Sequence, residues 1–287
     1  MISFTPTIAQ LKMLASVRGN LWLVMEDKAV ELALAGLELS ERVGKKESFW
    51  TDEDLEDFYT VRKKAFIDGD KIAHIEVRGA MMWDCPSIHE RAGLAIRYKT
   101  IMDETTAAVN SGAKGVIYRI TSPGGTVSGN AEASESVMNL EIPTVAFCEG
   151  LACSAAYKLA SSTNAIVASK SALMGNIGTI LSWTDCTAFW QRWGVEMKAI
   201  TSEGADLKST FHLDPNAEQL AFLQESVNEA GKQFRDHVKI GRNAAGAELD
   251  PEVWRAGWYS GERAEAMGLI DDIGDHETAR QILLSMI

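Results

Sequence analysis

Two short stretches carry residues of the types and spacing that acyl-transfer chemistry uses. The first is E-G-L-A-C-S-A-A-Y, from Glu149 to Tyr157. It follows the apolar run Thr144-Val145-Ala146-Phe147-Cys148 and leads into A-A-Y-K-L-A. Ser154 therefore sits at a predicted strand-to-helix turn, where a side-chain oxygen can be exposed while backbone N–H groups at the helix start point outward. That suits a nucleophilic serine; a helix N-cap with no chemistry is the other reading, since serine is favoured there anyway. The second stretch is I-T-S-P-G-G-T, from Ile120 to Thr126, directly after an apolar strand. Gly124 and Gly125 leave their N–H groups unshielded. Such donors can hold an oxyanion, at roughly 3–4 kcal/mol per donor. A plain tight turn is the alternative.

A serine nucleophile needs a base. The histidines are His74, His89, His212, His237 and His276, and none stands in a motif-like setting. His89 and His237 fall in predicted helices, and His212 alone is kept as a backup base. Lys208 lies in the loop I-T-S-E-G-A-D-L-K-S-T, immediately after a predicted strand. A lysine at its ordinary pKa of ~10.4 is a poor base at neutral pH. Burial in a desolvated pocket would make one competent, and a solvated surface charge is the competing reading. Cys153 adjoins Ser154 and is intrinsically the stronger nucleophile. Adjacent residues at a helix start point in different directions, so Cys153 reads as a small buried residue.

The elements that must position these residues alternate. Residues 1 to about 45 read as two helices, with a short apolar patch at Leu21 to Met25 between them. Lys45 to Tyr59 is polar and mostly acidic, a solvated helix face or a boundary. From about Phe66 strands are predicted at 71–79, 115–120, 144–148, 164–168, 177–181 and 196–200. Helices are predicted at 101–109, 126–140, 154–161, 184–193, 215 to about 242 and 261–268. Asp214 and Pro215 supply the start signal of the long helix. This order predicts α/β units on a largely parallel sheet.

Composition narrows the function classes. At 287 residues the chain holds one large domain or two small ones. Its 46% hydrophobic and 24% charged residues are ordinary for a globular protein. A net charge of −12 argues against a nucleic-acid-binding surface. Cys85, Cys148, Cys153 and Cys186 show no C-x-x-C spacing and read as reduced thiols. No run approaches the ~18 apolar residues of a membrane span. The first residues lack a secretory pattern, so a cytoplasmic setting is expected. No metal or nucleotide motif is present, and no cofactor is expected.

Taken together, S-P-G-G, then A-C-S-A-A-Y-K-L-A, then M-G-N-I-G-T-I, then the Lys208 loop resemble the signal peptide peptidase A family of serine–lysine proteases. The order is the same, and nucleophile and lysine are fifty-odd residues apart in the family; here 208 − 154 = 54. The tail G-x-x-A-x-x-x-G-L-I-D also matches, through Gly261, Ala264, Gly268, Leu269, Ile270 and Asp271. The resemblance covers roughly residues 70 to 275. It departs at Ala155 and Ala156, where the family has glycines, at Asn176, where its third motif usually has serine, and at Leu207, where a tyrosine is frequent. None of these removes a reacting group.

The resemblance implies Ser154 as nucleophile and Lys208 as general base. The backbone N–H groups of Gly124 or Gly125, with that of Ala155, would form the oxyanion hole. It implies a crotonase/Clp-protease-like α/β superfold, here with a short helical extension over residues 1–65 ahead of a peptidase domain over 66–287. It also implies homo-oligomers and protein or peptide substrates. The family's phage branch is soluble and cleaves scaffold and portal proteins during capsid maturation, within the host cytoplasm or the prohead. The helical extension and the lack of an anchor place this chain with that branch. A bacterial signal-peptide-degrading peptidase, an acyl-coenzyme A enzyme of the same fold and a catalytically silent capsid-assembly protein are the alternatives.

Overall fold

The computed structural model describes residues 21–24, 51–56, 59–183, 185, 187–196, 198–208 and 215–287. The two helices expected before residue 45 lie outside these residues, except that Leu21–Val24 form a strand, β1. The acidic stretch does contain a helix, α1 (Asp52–Glu56), in which Asp52, Glu53 and Glu56 are exposed and Leu55 is fully buried.

The main sheet has eight strands. They include β2 (Phe66–Ile67), β3 (Ile72–Arg78), β6 (Gly115–Ser122), β8 (Thr144–Cys153), β9 (Ala165–Ala168) and β10 (Leu173–Gly175). The pairs β3–β6, β6–β8, β8–β9 and β8–β10 are all parallel. At the edges β2 and β12 (Trp258–Ser260) run antiparallel, while β13 (Asp272–Ile273) adds to β9 in parallel. This is a mixed α/β fold with a sheet rich in parallel strands.

Parallel strands buried on both faces must be apolar at nearly every position, and the side chains divide by parity. Val116, Tyr118 and Ile120 of β6, and Ala146 and Cys148 of β8, enter the large core cluster. Ile117, Val145 and Phe147 enter a second cluster on the opposite face. The large cluster is covered by α3 (Tyr98–Asn110), α4 (Asn130–Met138), α5 (Ala155–Ala160) and α7 (Ala217–Ala244). The second is closed by Ala279 and Leu283 of α9 (His276–Met286).

A five-stranded sheet stands beside the first, in the order β11-β1-β7-β4-β5. Its members are β4 (Ala80–Met82), β5 (Ala95–Arg97), β7 (Gly124–Thr126) and β11 (Ile180–Leu181), with β1 between β7 and β11. Among the described residues the remaining α-helices are α2 (Ser87–Arg91), α6 (Thr187–Arg192) and α8 (Gly261–Ala266).

Three expectations need correction. The helix predicted from Thr126 begins only at Asn130, because Gly124–Thr126 are pulled into a strand by partners distant in sequence. No strand forms among the described residues of 196–200, which are exposed. The long helix starts at Ala217 with an Asn216–Gln219 capping box, while Asp214 lies outside the described residues.

Candidate functional site

Strand β8 carries Ser154 to its position. The lower half of β8 is flanked by β6 and β9, and its upper end by β6 and β10. The chain then breaks sharply: Ser154 has φ 56° and ψ −122°, and α5 begins at the next residue. A positive φ in a non-glycine residue persists only where neighbours enforce it. Here the Ser154 N–H donates to the Gly175 carbonyl at 2.7 Å, and the Lys158 N–H closes the first helical turn on the Ser154 carbonyl at 3.0 Å. Gly175 itself has φ +106° and Asn176 φ 55°, so the M-G-N-I-G motif is a turn shaped to meet the serine. The Asn176 side chain fixes that turn by donating to the Ala256 carbonyl at 3.0 Å.

Ser154 is 1% exposed, and its Oγ is buried with no hydrogen-bond partner among the described residues. A buried hydroxyl without a partner is costly. Its place is where a substrate or base would satisfy it.

The glycine pair lies on the adjoining element. Strand β7 packs against α5, and Asn130 ties the two regions together by donating to the Ala155 carbonyl at 3.1 Å. Tyr98 fixes the other end of β7 through a 2.7 Å bond to the Thr126 carbonyl. Gly124 has φ +108°, and its N–H donates to Ser122 Oγ at 3.2 Å. A Cβ on Gly125 would stand 1.6 Å from the Met81 carbonyl oxygen, so the β4–β7 approach needs glycine. Ala155 opens α5, where first-turn N–H groups have no intrahelical acceptor.

Lys208 is placed differently. Its side chain is exposed, and its N–H closes a turn on the Ala205 carbonyl at 3.0 Å. Gln219 of the α7 capping box holds the same turn through the Asp206 and Lys208 carbonyls, at 3.0 and 3.4 Å. The structure therefore groups Ser154, Ala155, Gly124 and Gly125, but does not hydrogen-bond Lys208 to Ser154. His212, the backup base, lies outside the described residues.

Ser122 and Gly175 stand inside the S-P-G-G and M-G-N-I-G motifs, but their part in orienting the site, like that of Asn130, is not visible in the sequence. Their roles depend on contacts across the sheet that no local pattern carries. Lys158 was also passed over. It is buried one turn beyond Ser154, and desolvation lowers its pKa against the opposing fields of Glu135 and Glu132. Cys153 is buried, and desolvation pushes its thiol up to about 12, which leaves it a poor nucleophile at neutral pH. Among the described residues no group of three or more His, Cys, Asp or Glu could hold a metal ion.

The tail motif is structural. Arg242, 1% exposed, makes a two-pronged pair with Asp271 at 2.9 and 2.7 Å and donates to the Gly268 carbonyl at 3.0 Å. Asp271 also accepts from the Ile166 N–H at 2.7 Å. Tyr157 donates to the Leu269 carbonyl at 2.7 Å, which fastens the tail to the helix behind Ser154.

Protease 4 of Salmonella typhi is 31% identical over 175 residues, covering 58% of this chain and 27% of that protein. The head-tail preconnector protein GP5 of Enterobacteria phage P21 is 24% identical over 184 residues, covering 63% of this chain and 36% of that one. The chain thus spans about a quarter to a third of these two relatives. Among solved structures, an enoyl-CoA hydratase/isomerase family member aligns with a TM-score of 0.40 and 14% identity, over 79% of this chain and 75% of the other. The family model for peptidase family S49 matches residues 138–285, which is 148 of 287 residues and takes in both Ser154 and Lys208. The chain belongs to peptidase family S49.

Proposed function

We propose that this chain is a serine endopeptidase with Ser154 as nucleophile and Lys208 as general base. The observation that carries the reading is the buried, unpartnered Oγ of Ser154, held at a positive φ beside the Gly124–Gly125 strand. Lys208 takes the Ser154 proton as Oγ attacks a peptide carbonyl. The N–H groups of Ala155 and of Gly124 or Gly125 hold the oxyanion, with the Gly124 N–H released from Ser122 when substrate enters. Protonated lysine gives its proton to the leaving amine, and water then hydrolyses the acyl-enzyme with the lysine again as base. Residues 66–287 form the peptidase unit, and residues 1–65 are an extension to it.

The exposure of Lys208 supports a homo-oligomer in which the base reaches the Ser154 of a neighbouring subunit. Similarity to the phage P21 protein supports scaffold and portal proteins as substrates during capsid maturation, in the host cytoplasm or prohead. The greater identity to protease 4 supports a second reading, a bacterial peptidase that degrades signal peptides.

The test is casein hydrolysis by wild type, Ser154→Ala and Lys208→Ala between pH 6 and 10. Both variants are expected to be inactive, with wild-type activity rising with pH. Loss on changing His212, with Lys208→Ala still active, would move the base to histidine. A wild type inactive on casein and on scaffold protein alike would favour a silent assembly protein.

A further inference from the structure

Strand β1 has an unusual position. It is antiparallel to β7 on one side, with Trp22 opposite Thr126, Leu23 opposite Gly125 and Val24 opposite Gly124. On its other side it is antiparallel to β11, with Leu21 opposite Leu181 and Trp22 opposite Ile180. Among the described residues no other strand bridges β7 and β11. Neighbouring strands lie ~4.8 Å apart, so lifting β1 away would leave two facing edges roughly 10 Å apart. That gap admits one extended chain, hydrogen-bonded on both sides.

Both walls of the gap belong to the site. β7 starts at Gly124, whose N–H is a candidate oxyanion donor. β11 follows five residues after Gly175, whose carbonyl anchors the Ser154 N–H at 2.7 Å. Direction matters as well. Because β1 is antiparallel to β7, the chain from Leu21 to Val24 runs toward the Gly124 end. An extended peptide bound there with the same polarity would carry its next carbonyl toward the oxyanion donors. Strand addition to an open sheet edge is a general mode of peptide capture, in which main-chain bonds give affinity.

We infer that β1 is an internal occupant of the substrate slot. Leu21–Val24 sit as an extended peptide substrate would, between β7 and β11, and keep the slot closed to other chains until they are displaced. This rests on the peptidase reading of Ser154.

The experiment uses the full chain with Leu23→Pro. Proline removes a ladder donor and is not accommodated in a strand paired on both sides. The probe is a fluorescently labelled synthetic peptide of residues 19–27, followed by anisotropy. Occupation of the slot lowers apparent affinity in proportion to the closed fraction. The peptide is therefore expected to bind Leu23→Pro at least about tenfold tighter than wild type. It should bind Leu23→Pro/Ser154→Ala equally well, because capture needs no catalysis. Equal affinity for wild type and Leu23→Pro, or binding to neither, would overturn the inference. Tighter binding without Ser154-dependent hydrolysis would leave the slot intact and defeat the peptidase reading instead.

Hydrogen exchange on the unmodified chain decides the matter if Leu23→Pro does not fold. The amides of Leu21–Val24 are expected to be protected but to open together, well before those of β3, β6 and β8. Protection lost only with global unfolding would make β1 a fixed structural strand. No protection would mean that it is not seated in the slot.

Discussion

Ser154 keeps a backbone geometry of φ 56° and ψ −122° that costs about 1–3 kcal/mol in a residue with a Cβ. Its two backbone hydrogen bonds, to Gly175 and from Lys158, hold it there. Removing the Cβ removes the strain, so Ser154→Gly is expected to be more stable than Ser154→Ala by about 1 kcal/mol. Both should be inactive, and paired urea titrations with a casein assay would check this; equal stability would show that the turn is unstrained. The strand-to-helix turn was legible in the sequence because an apolar run meets a helix-forming run at a cluster of small residues. The sign of φ was not, because it is set by the Gly175 carbonyl, far along the chain. A second residue effect lies behind α5. His237 shares a 2.8 Å hydrogen bond with Ser162, and desolvation, with a smaller push from the Lys158 charge, lowers its pKa from 6.5 to about 4. A histidine depressed in the folded state takes up protons first in the unfolded state. Its contribution is complete above pH ~6.5 and is lost as pH falls toward ~4. Between pH 7 and pH 5 this amounts to roughly 2 kcal/mol. His237→Gln should flatten that part of the stability–pH curve, and an unchanged slope would refute the assignment.

At the scale of elements, what the sequence could show depended on length and period. The first half of β8 and all of β9 were readable as continuous apolar runs, and β3 and β6 by the apolar residues Ala73, Ile75 and Val77, and Val116, Tyr118 and Ile120, that recur along them and face the main core. Three-residue strands such as β10 and β12 have no period to detect and exist only because β8 and β10 offer them an edge. Helix α9 passed unrecognised although Asp275 and Thr278 form a capping box at its start, a signal that was present in the chain. The tail motif was seen as a family feature, but its work became clear only from the fold. Arg242 on α7, Asp271 beyond α8 and the β9 N–H of Ile166 form one junction among three elements, buried on the Arg242 side and open to solvent at Asp271. Taking away the guanidinium leaves the Asp271 carboxylate without its counter-charge and the Gly268 carbonyl without that donor. The Asp271 carboxylate keeps contact with solvent, so Arg242→Ala is expected to cost about 1–3 kcal/mol, read as a lowered urea midpoint. A loss below ~1 kcal/mol would mean that the junction is dispensable.

At the scale of the molecule the two residues of the proposed dyad differ in setting. Ser154 and the candidate oxyanion donors are embedded at the end of β8 and beside β7. Lys208 stands on an exposed turn held by the start of α7. At and just after α6 the surface is apolar: Phe189 is 56% exposed and Trp193 73%. Their rings pack on one another and on Trp190, with centroids 5.2 and 6.4 Å from that of Phe189. Such a patch is a poor solvated surface and a good subunit contact. It supports the proposed oligomer, in which one subunit's Lys208 turn is carried to the Ser154 of the next. That arrangement makes a prediction that a dyad within one chain does not. Ser154→Ala and Lys208→Ala are each expected to be inactive alone. Mixed and reassembled in equal amounts, they would create junctions in which an intact Ser154 faces an intact Lys208. Random assembly gives roughly one such junction in four, so about a quarter of wild-type casein activity should return. If each chain used its own lysine, no mixing ratio would restore any. The ring contact can be tested in the same samples: Trp193→Asp introduced into both variants should abolish complementation and shift sedimentation to smaller species. Recovery that survives this change would place the junction elsewhere on the molecule.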